Sequence, residues 1–474
     1  MMPGPGSPLA QLAALAGPDV IRTDAAELAP VQQDHRRLYQ GRALALALPR
    51  SVEQVSSILA FCHAQRIGVV PHGGNTSYCG GATPDESGTQ LVLSLRRLDR
   101  IRSVDPLNWS MVAEAGCILA HVQQAAEAAD RFFPLSLGAE GSCQLGGNLS
   151  TNAGGLNVVR YGMTRDLVLG LEVVLADGRV LSTLSALRKD NTGYDLKSLF
   201  IGAEGTLGVI TAASLKLFPR PRDVATAFVA VPDPRAAVAL LTQLRQGSGD
   251  RIGSFELVPR NAVELTVKHV AGVTAPLGSA SPWYVLVELT SPRADEGLGP
   301  LLEAELGRAL EQGLASDAAV AQNERERLAF WRLRETIPEA QAREGASLKH
   351  DVAVPVASLP EFLERASAWV AEHVAGGVLV AYGHVGDGNL HFNLGQAPGA
   401  DLARFKAQEL PIRRAIHDLV REFGGSFSAE HGIGRLKVGE LARYAPPAEL
   451  ELMRGIKRAF DPHGIMNPGK VLEP

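Results

Sequence analysis

The chain has 474 residues, more than one hydrophobic core usually organises, so two or three domains are expected. Its 46 Lys and Arg against 51 Asp and Glu give a net charge of −5, which offers no general attraction to nucleic acid or anionic lipid. No apolar run is long enough to span a bilayer, and Cys62, Cys79, Cys117 and Cys143 lie apart without a C-x-x-C pair, which argues against an iron–sulfur cluster and a disulfide framework. The opening Met1-Met2-Pro3-Gly4-Pro5-Gly6-Ser7 lacks the basic region that precedes a secretory core, so no signal peptide is read and a cytoplasmic address is expected.

After an N-terminal segment (1–43), residues 44–218 alternate short apolar runs with glycine clusters, beginning with a helix over 52–66 and a strand over 68–70. Pro71-His72-Gly73-Gly74-Asn75-Thr76-Ser77 follows. Consecutive glycines let backbone N–H groups converge on an anion, and Asn, Thr and Ser add side-chain hydrogen bonds; an ordinary surface turn is the plainer alternative. Related loops recur around Ser142, Gly146, Gly147, Asn148, Thr151, Asn152 and Gly154, again around Glu204, Gly205, Gly208 and Ile210, and finally at Asn467-Pro468-Gly469-Lys470. Four such loops imply an extended ligand, while the absence of G-x-G-x-x-G removes the usual nicotinamide fingerprint.

Pro219-Arg220-Pro221-Arg222-Asp223 reads as a linker into a second domain over 219–440. Strands are expected at 227–231 and 283–289 and from Lys349, and helices at 235–245, 301–312 and 323–343 and from Leu359. This mixture points to an antiparallel sheet flanked by helices. Residues 441–474 form a C-terminal segment.

The second domain carries Gly383-His384-Val385-Gly386-Asp387-Gly388-Asn389-Leu390-His391-Phe392-Asn393, and Glu430-His431 follows. With Asp387-Gly388 at the centre of a tight hairpin, His384 faces His391, their Cβ atoms about 5 Å apart, and Asn393 points the same way. Two imidazoles plus the Glu430 carboxylate have the composition of a catalytic zinc site, with manganese or iron also compatible. Gly432 and Gly434 suggest a loop that aims both Glu430 and His431 into one cavity, one as ligand and one as base.

Taken together, these segments resemble FAD-linked oxidoreductases of the vanillyl-alcohol oxidase/p-cresol methylhydroxylase type, and within them the dehydrogenases of D-2-hydroxyglutarate, D-lactate and glycolate. The likeness runs from Val52 to Lys470. It implies an α+β protein: a two-part α/β FAD-binding domain of the p-cresol methylhydroxylase (PCMH) type, an antiparallel-sheet substrate cap, and a C-terminal helical segment that returns Asn467 to the flavin. FAD is expected to be non-covalent, because Asn75 and Thr76 stand where some relatives attach it through histidine, and His72 is read as a satisfied loop histidine. The resemblance further implies Arg334, Lys349 and Asn393 as substrate-carboxylate ligands and a divalent metal, zinc foremost, on His384, His391 and Glu430. His431 is expected to be the base and flavin N5 the hydride acceptor; His350 is read as structural. The expected substrates are D-2-hydroxyglutarate first and D-malate next, with chain length left open because Pro338 stands where the family carries a threonine. The expected acceptor is an electron-transfer protein or quinone, and the expected assembly a homodimer. The alternatives are a D-lactate or glycolate dehydrogenase, a non-redox enzyme like alkyl-dihydroxyacetone-phosphate synthase, and a non-catalytic flavin subunit.

Overall fold

The computed structural model describes residues 6–396 and 399–473. Residues 1–5, on which much of the signal-peptide expectation rests, lie outside that range. Two compact units divide the chain: the first runs up to Gly154 and takes in Gly162–Arg220 and the chain from Glu430 onward, and the second comprises Gly155–Tyr161 and Pro221–Ala429.

The first unit contains two main sheets. In one, the order is Ile21–Arg22, Ala43–Ala47, Gln90–Ser94, Val69–His72, and the last three strands run parallel. Parallel strands need a crossover, which the helix Val52–Gln65 provides. Ser51 caps its N-terminus by accepting from Gln54 N at 3.3 Å, and Arg66 ends it in the left-handed region at φ 55°. Its buried residues, Val55, Ile58, Leu59 and Cys62, fall at helical spacing on one face. The other sheet is antiparallel, in the order Ile101–Asp105, Ser110–Glu114, Val209–Lys216, Val168–Val174, Val180–Ser182.

Unlike the expected division at 44–218 and 219–440, this unit includes segments from both ends of the chain. Leu12 and Ala16 join the core of Val55 and Ile58, and Met466 bridges to Val69, so these distant segments are bound by burial rather than by sequence proximity. The four cysteines are buried and not in disulfides; burial pushes Cys62 up to about 12 and Cys117 up to about 11, so both are neutral.

The second unit is built on one antiparallel sheet. Its order is Asp317–Val320, Asp223–Val231, Trp283–Ser291, Ile252–Pro259, Val378–His384, Asn389–Gly395, Ser347–Leu348, with Asp351–Ala353 also paired to Asn389–Gly395. The strand Ile252–Pro259 and the helix Arg260–His269 were not foreseen from the sequence. The helix expected over 323–343 is two, Glu324–Glu335 and Ile337–Glu344, because Pro338 lacks the N–H a continuing helix requires and begins the second instead. The strand expected from Lys349 is likewise interrupted, with Lys349 and His350 lying between the two short strands Ser347–Leu348 and Asp351–Ala353. Among the described residues no helix is long and apolar enough to cross a membrane.

Candidate active site

In the first unit the glycine-rich loops close on one another at backbone distance. A Cβ on Gly74 would stand 2.3 Å from Ser142 O and 2.9 Å from Cys143 Cα, and one on Gly205, at φ +71°, 2.8 Å from Pro71 Cγ. Asn75, Asn152, Glu204 and Asn467 also adopt positive φ, which asparagine tolerates better than most residues. Asn75 Nδ2 donates to Gln33 O at 2.8 Å, fixing the first turn. Asn467 Nδ2 donates to Gly81 O at 3.0 Å and to Glu204 O at 2.7 Å, tying the C-terminal loop to two others. Thr151 Oγ1 donates to Gly147 O at 3.0 Å and Ser77 Oγ accepts from Cys79 N at 3.3 Å, so these two hydroxyls brace their own loops. Ile210 is buried in the strand Val209–Lys216.

Three acceptors in these loops, Gln144 Oε1, Asn148 Oδ1 and Asn467 Oδ1, are buried without a hydrogen-bond partner. Each would cost about 1–3 kcal/mol if left so. A polar, extended ligand with hydroxyl and amide donors resolves that cost, and FAD carries such donors along its ribityl chain, flavin ring and adenine. The cradle therefore fits the cofactor implied by its glycines.

Glu204 ties its loop to another part of the first unit. Its carboxylate accepts from Ile433 N at 2.7 Å and Gly434 N at 2.8 Å, supporting the loop that carries Glu430 and His431. Burial raises its pKa, against the lowering effect of those two N–H groups. His431 sets its ring 4.7 Å from Tyr78, just beyond the first glycine turn, and Glu430 Oε1 would lie 3.0 Å from a Cβ on Gly154. His72 is not the satisfied loop histidine expected: it ends the strand Val69–His72, and both ring nitrogens are buried without a partner. Burial, then the nearby Arg96 charge, lowers it to about 4, so it is neutral at physiological pH.

In the second unit, strand alternation brings a group of polar side chains together on one sheet face, beside the apolar cluster of Val258, Leu286 and Val380. Ala381, Leu390, Phe392 and Leu394 join the core with Phe255 and Leu257, whereas Glu256, Tyr382, His384, Asn389, His391 and Asn393 share the opposite face. The hairpin register differs from the expected one: His391 pairs with Tyr382, and His384 lies diagonal to it. A two-residue Asp-Gly turn of the expected kind requires positive φ at both positions, and only Gly388 has it, at 88°. Instead Asp387 Oδ1 accepts from Asn389 N at 3.1 Å in a wider turn. The two imidazoles still meet, with centroids 5.4 Å apart and planes at 80°.

Around this pair, Asp351 accepts from Asn389 Nδ2 at 2.9 Å and stands 4.0 Å from His391 Nδ1. Fully buried Glu256 lies opposite His384 on the neighbouring strand; its Oε1 is 2.6 Å from His384 Nδ1, and its Oε2 accepts from Arg334 Nε at 2.6 Å. Burial pushes the Glu256 pKa up, but the Arg334 charge and the close contact with His384 prevail and hold it at about 2. Arg334 Nη2 is also 2.6 Å from Glu256 Oε2 but too poorly aligned to count as a hydrogen bond. The guanidinium stands over the Tyr382 ring at 4.7 Å. Asn393 Nδ2 donates to Gln341 Oε1 at 3.0 Å, Lys349 is half-buried, and His350 Nδ1 lies 2.9 Å from Phe392 O, a structural contact.

His384, His391, Arg334, Lys349 and Asn393 thus belong to the second unit, and Glu430, His431 and the loop residues to the first. Sequence reasoning missed Glu256, Asp351 and Gln341. Glu256 had a readable signal, an acid within the otherwise apolar Ile252-Gly253-Ser254-Phe255-Glu256-Leu257-Val258.

Residues 43–184 match the family described as FAD binding domain, and residues 220–471 the family described as FAD linked oxidases, C-terminal domain. The chain is 39% identical over 452 residues to the D-2-hydroxyglutarate dehydrogenase, mitochondrial, of Arabidopsis thaliana, covering 95% of this chain and 78% of the relative. It is 36% identical over 453 residues to the D-2-hydroxyglutarate dehydrogenase of Xanthomonas citri pv. viticola, covering 96% and 94%. Among solved structures, p-cresol methylhydroxylase with substrate bound superposes with a TM-score of 0.72 at 17% identity, over 98% of this chain and 96% of that one, a likeness of fold. On these matches, the chain belongs to the FAD-linked oxidase family.

Proposed function

We propose that this protein oxidises a D-2-hydroxy acid to the 2-oxo acid, with D-2-hydroxyglutarate the first substrate and D-malate the next. The relatives named for D-2-hydroxyglutarate support the substrate class. The observation that carries the reading is the polar sheet face where His384 and His391 meet beside Arg334 and Asn393.

The residues suit the two groups such a reaction requires. FAD, when bound non-covalently, supplies a two-electron acceptor, and a divalent cation, zinc foremost, supplies a Lewis acid. His384 and His391 present nitrogen donors, and Glu430, immediately after Ala429 in the chain, completes the set. Arg334 and Lys349 attract the carboxylates of the substrate, and Asn393, held by Gln341, orients them. His431 accepts the hydroxyl proton, a role suited to an imidazole near neutral pH. The Gly432–Gly434 backbone, gripped by Glu204, holds that imidazole in place.

We assign the acceptor to the class of electron-transfer proteins or quinones, the assembly to a homodimer, and the compartment to the cytoplasm, where four unbridged thiols stay reduced. Steady-state turnover with an artificial electron acceptor tests the reading. D-2-hydroxyglutarate is expected to turn over while its L-enantiomer does not. Chelation should abolish the activity, and added zinc should restore it. Full activity after verified removal of the metal would exclude the Lewis-acid role.

A further inference from the structure

A sheet strand that fully buries a carboxylate, as Ile252–Pro259 does at Glu256, bears a desolvation cost, offset only if that carboxylate is well partnered. Glu256 has two partners, one on each oxygen. Oε1 is 2.6 Å from His384 Nδ1, and Oε2 accepts from Arg334 Nε at 2.6 Å. Each partner is itself part of the proposed site, one as a metal ligand and the other as a carboxylate clamp.

We propose that Glu256 is a positioning residue that orients the His384 imidazole for cation binding and couples it to Arg334. This rests on the metal reading above. With Nδ1 carrying the proton and donating to Oε1, the neutral imidazole presents its lone pair at Nε2. The carboxylate also increases the basicity of that nitrogen. Strand pairing brings Glu256 opposite His384, so the carboxylate approaches Nδ1 across the ladder. The Arg334 charge is meanwhile balanced by the same group, so the clamp enters the buried site as half of an ion pair. Nη2, lacking an aligned partner, keeps its hydrogens for a ligand. Tyr382 lies under the guanidinium, its ring centroid 4.7 Å from the guanidinium carbon.

The test uses the full-length, FAD-loaded protein and zinc or manganese alone as probe. Wild type and Glu256→Gln are stripped with a chelator, and metal is returned in a competitive titration. Glu256→Gln is expected to bind the ion roughly 10–100-fold more weakly with FAD content unchanged. In metal-free protein, 15N spectra of the histidine rings should show the Nδ1–H tautomer of His384 in the wild type, and a tautomer mixture in the variant.

Because Glu256→Gln strands the Arg334 charge and could unfold the unit, Glu256→Gln/Arg334→Gln is measured alongside, with both buried charges removed. It too should bind the ion weakly. Wild-type affinity in the double variant would show that Glu256 serves only to neutralise Arg334 and would overturn the proposal, as would an unchanged His384 tautomer. A wild-type protein that binds neither ion defeats the metal reading and this inference with it, whereas a wild type that binds and variants that bind equally well defeat this inference alone.

Discussion

Replacing Arg334 with methionine removes the cation that holds Glu256 ionised in the second unit while keeping most of the side-chain volume. Both groups are buried, Arg334 at 5% exposure and Glu256 at 0%. Removing one partner of a buried ion pair leaves the other uncompensated, at a cost of about 3–5 kcal/mol. For a unit of this size that lowers the thermal midpoint by roughly 10 °C. The acid limb gives an independent reading. Glu256 is displaced downward from the ordinary 4.5 to about 2, which corresponds to about 3 kcal/mol. Since the folded pKa is depressed, this stabilisation is present above pH 4.5 and lost as pH falls from there towards 2. In Arg334→Met that dependence should weaken, because the ionised carboxylate keeps only His384 as a partner. Thermal unfolding followed by circular dichroism between pH 3 and 7 measures both effects. A variant within 1 kcal/mol of wild type at pH 7, with an unchanged acid limb, would refute the ion-pair account.

Other substitutions probe separate parts of the site. Gly74→Ala places a Cβ 2.3 Å from Ser142 O, so the cradle must shift, and the purified variant should contain little FAD by absorbance; full occupancy would contradict the cradle's geometry. His431→Asn should retain FAD and metal while turnover falls by roughly 100-fold or more, the range for a lost general base, and near-normal turnover would reject that role. Glu204→Ala orphans the N–H groups of Ile433 and Gly434 and should lower kcat through a loosened His431 loop, with recovery in Glu204→Gln limited to the one acceptor it retains. Pro338→Thr restores a hydroxyl and should raise kcat/KM for D-2-hydroxyglutarate relative to D-malate; an unchanged ratio would separate this position from chain-length preference.

The loops of the first unit were legible because the backbone there demands special residues. Gly74 has no room for a side chain, and Asn75 and Asn467 adopt positive φ, so the chemistry of these turns is written in residue type. The histidine face was legible for the related reason that strand alternation has period two: a register shift of two residues, as between the expected and observed hairpins, preserves the face while changing the partner. What depends on distant pairing was not legible. Glu256 and His384 are 128 residues apart and meet only through the strand order of the sheet. The return of the chain beyond Glu430 to the first unit rests on contacts such as Met466 with Val69, which no local pattern announces. Pro338 was visible, but its effect on the preceding helix was not drawn from it.

The most direct measurement mixes the FAD- and metal-loaded protein anaerobically with single D- and L-2-hydroxy acids and follows flavin absorbance. Rapid bleaching by D-2-hydroxyglutarate, slower bleaching by D-malate, none by the L-enantiomers, and loss of the response after chelation are the predicted results. A flavin that stays oxidised with every D-2-hydroxy acid, in protein verified to hold both groups, would contradict the account.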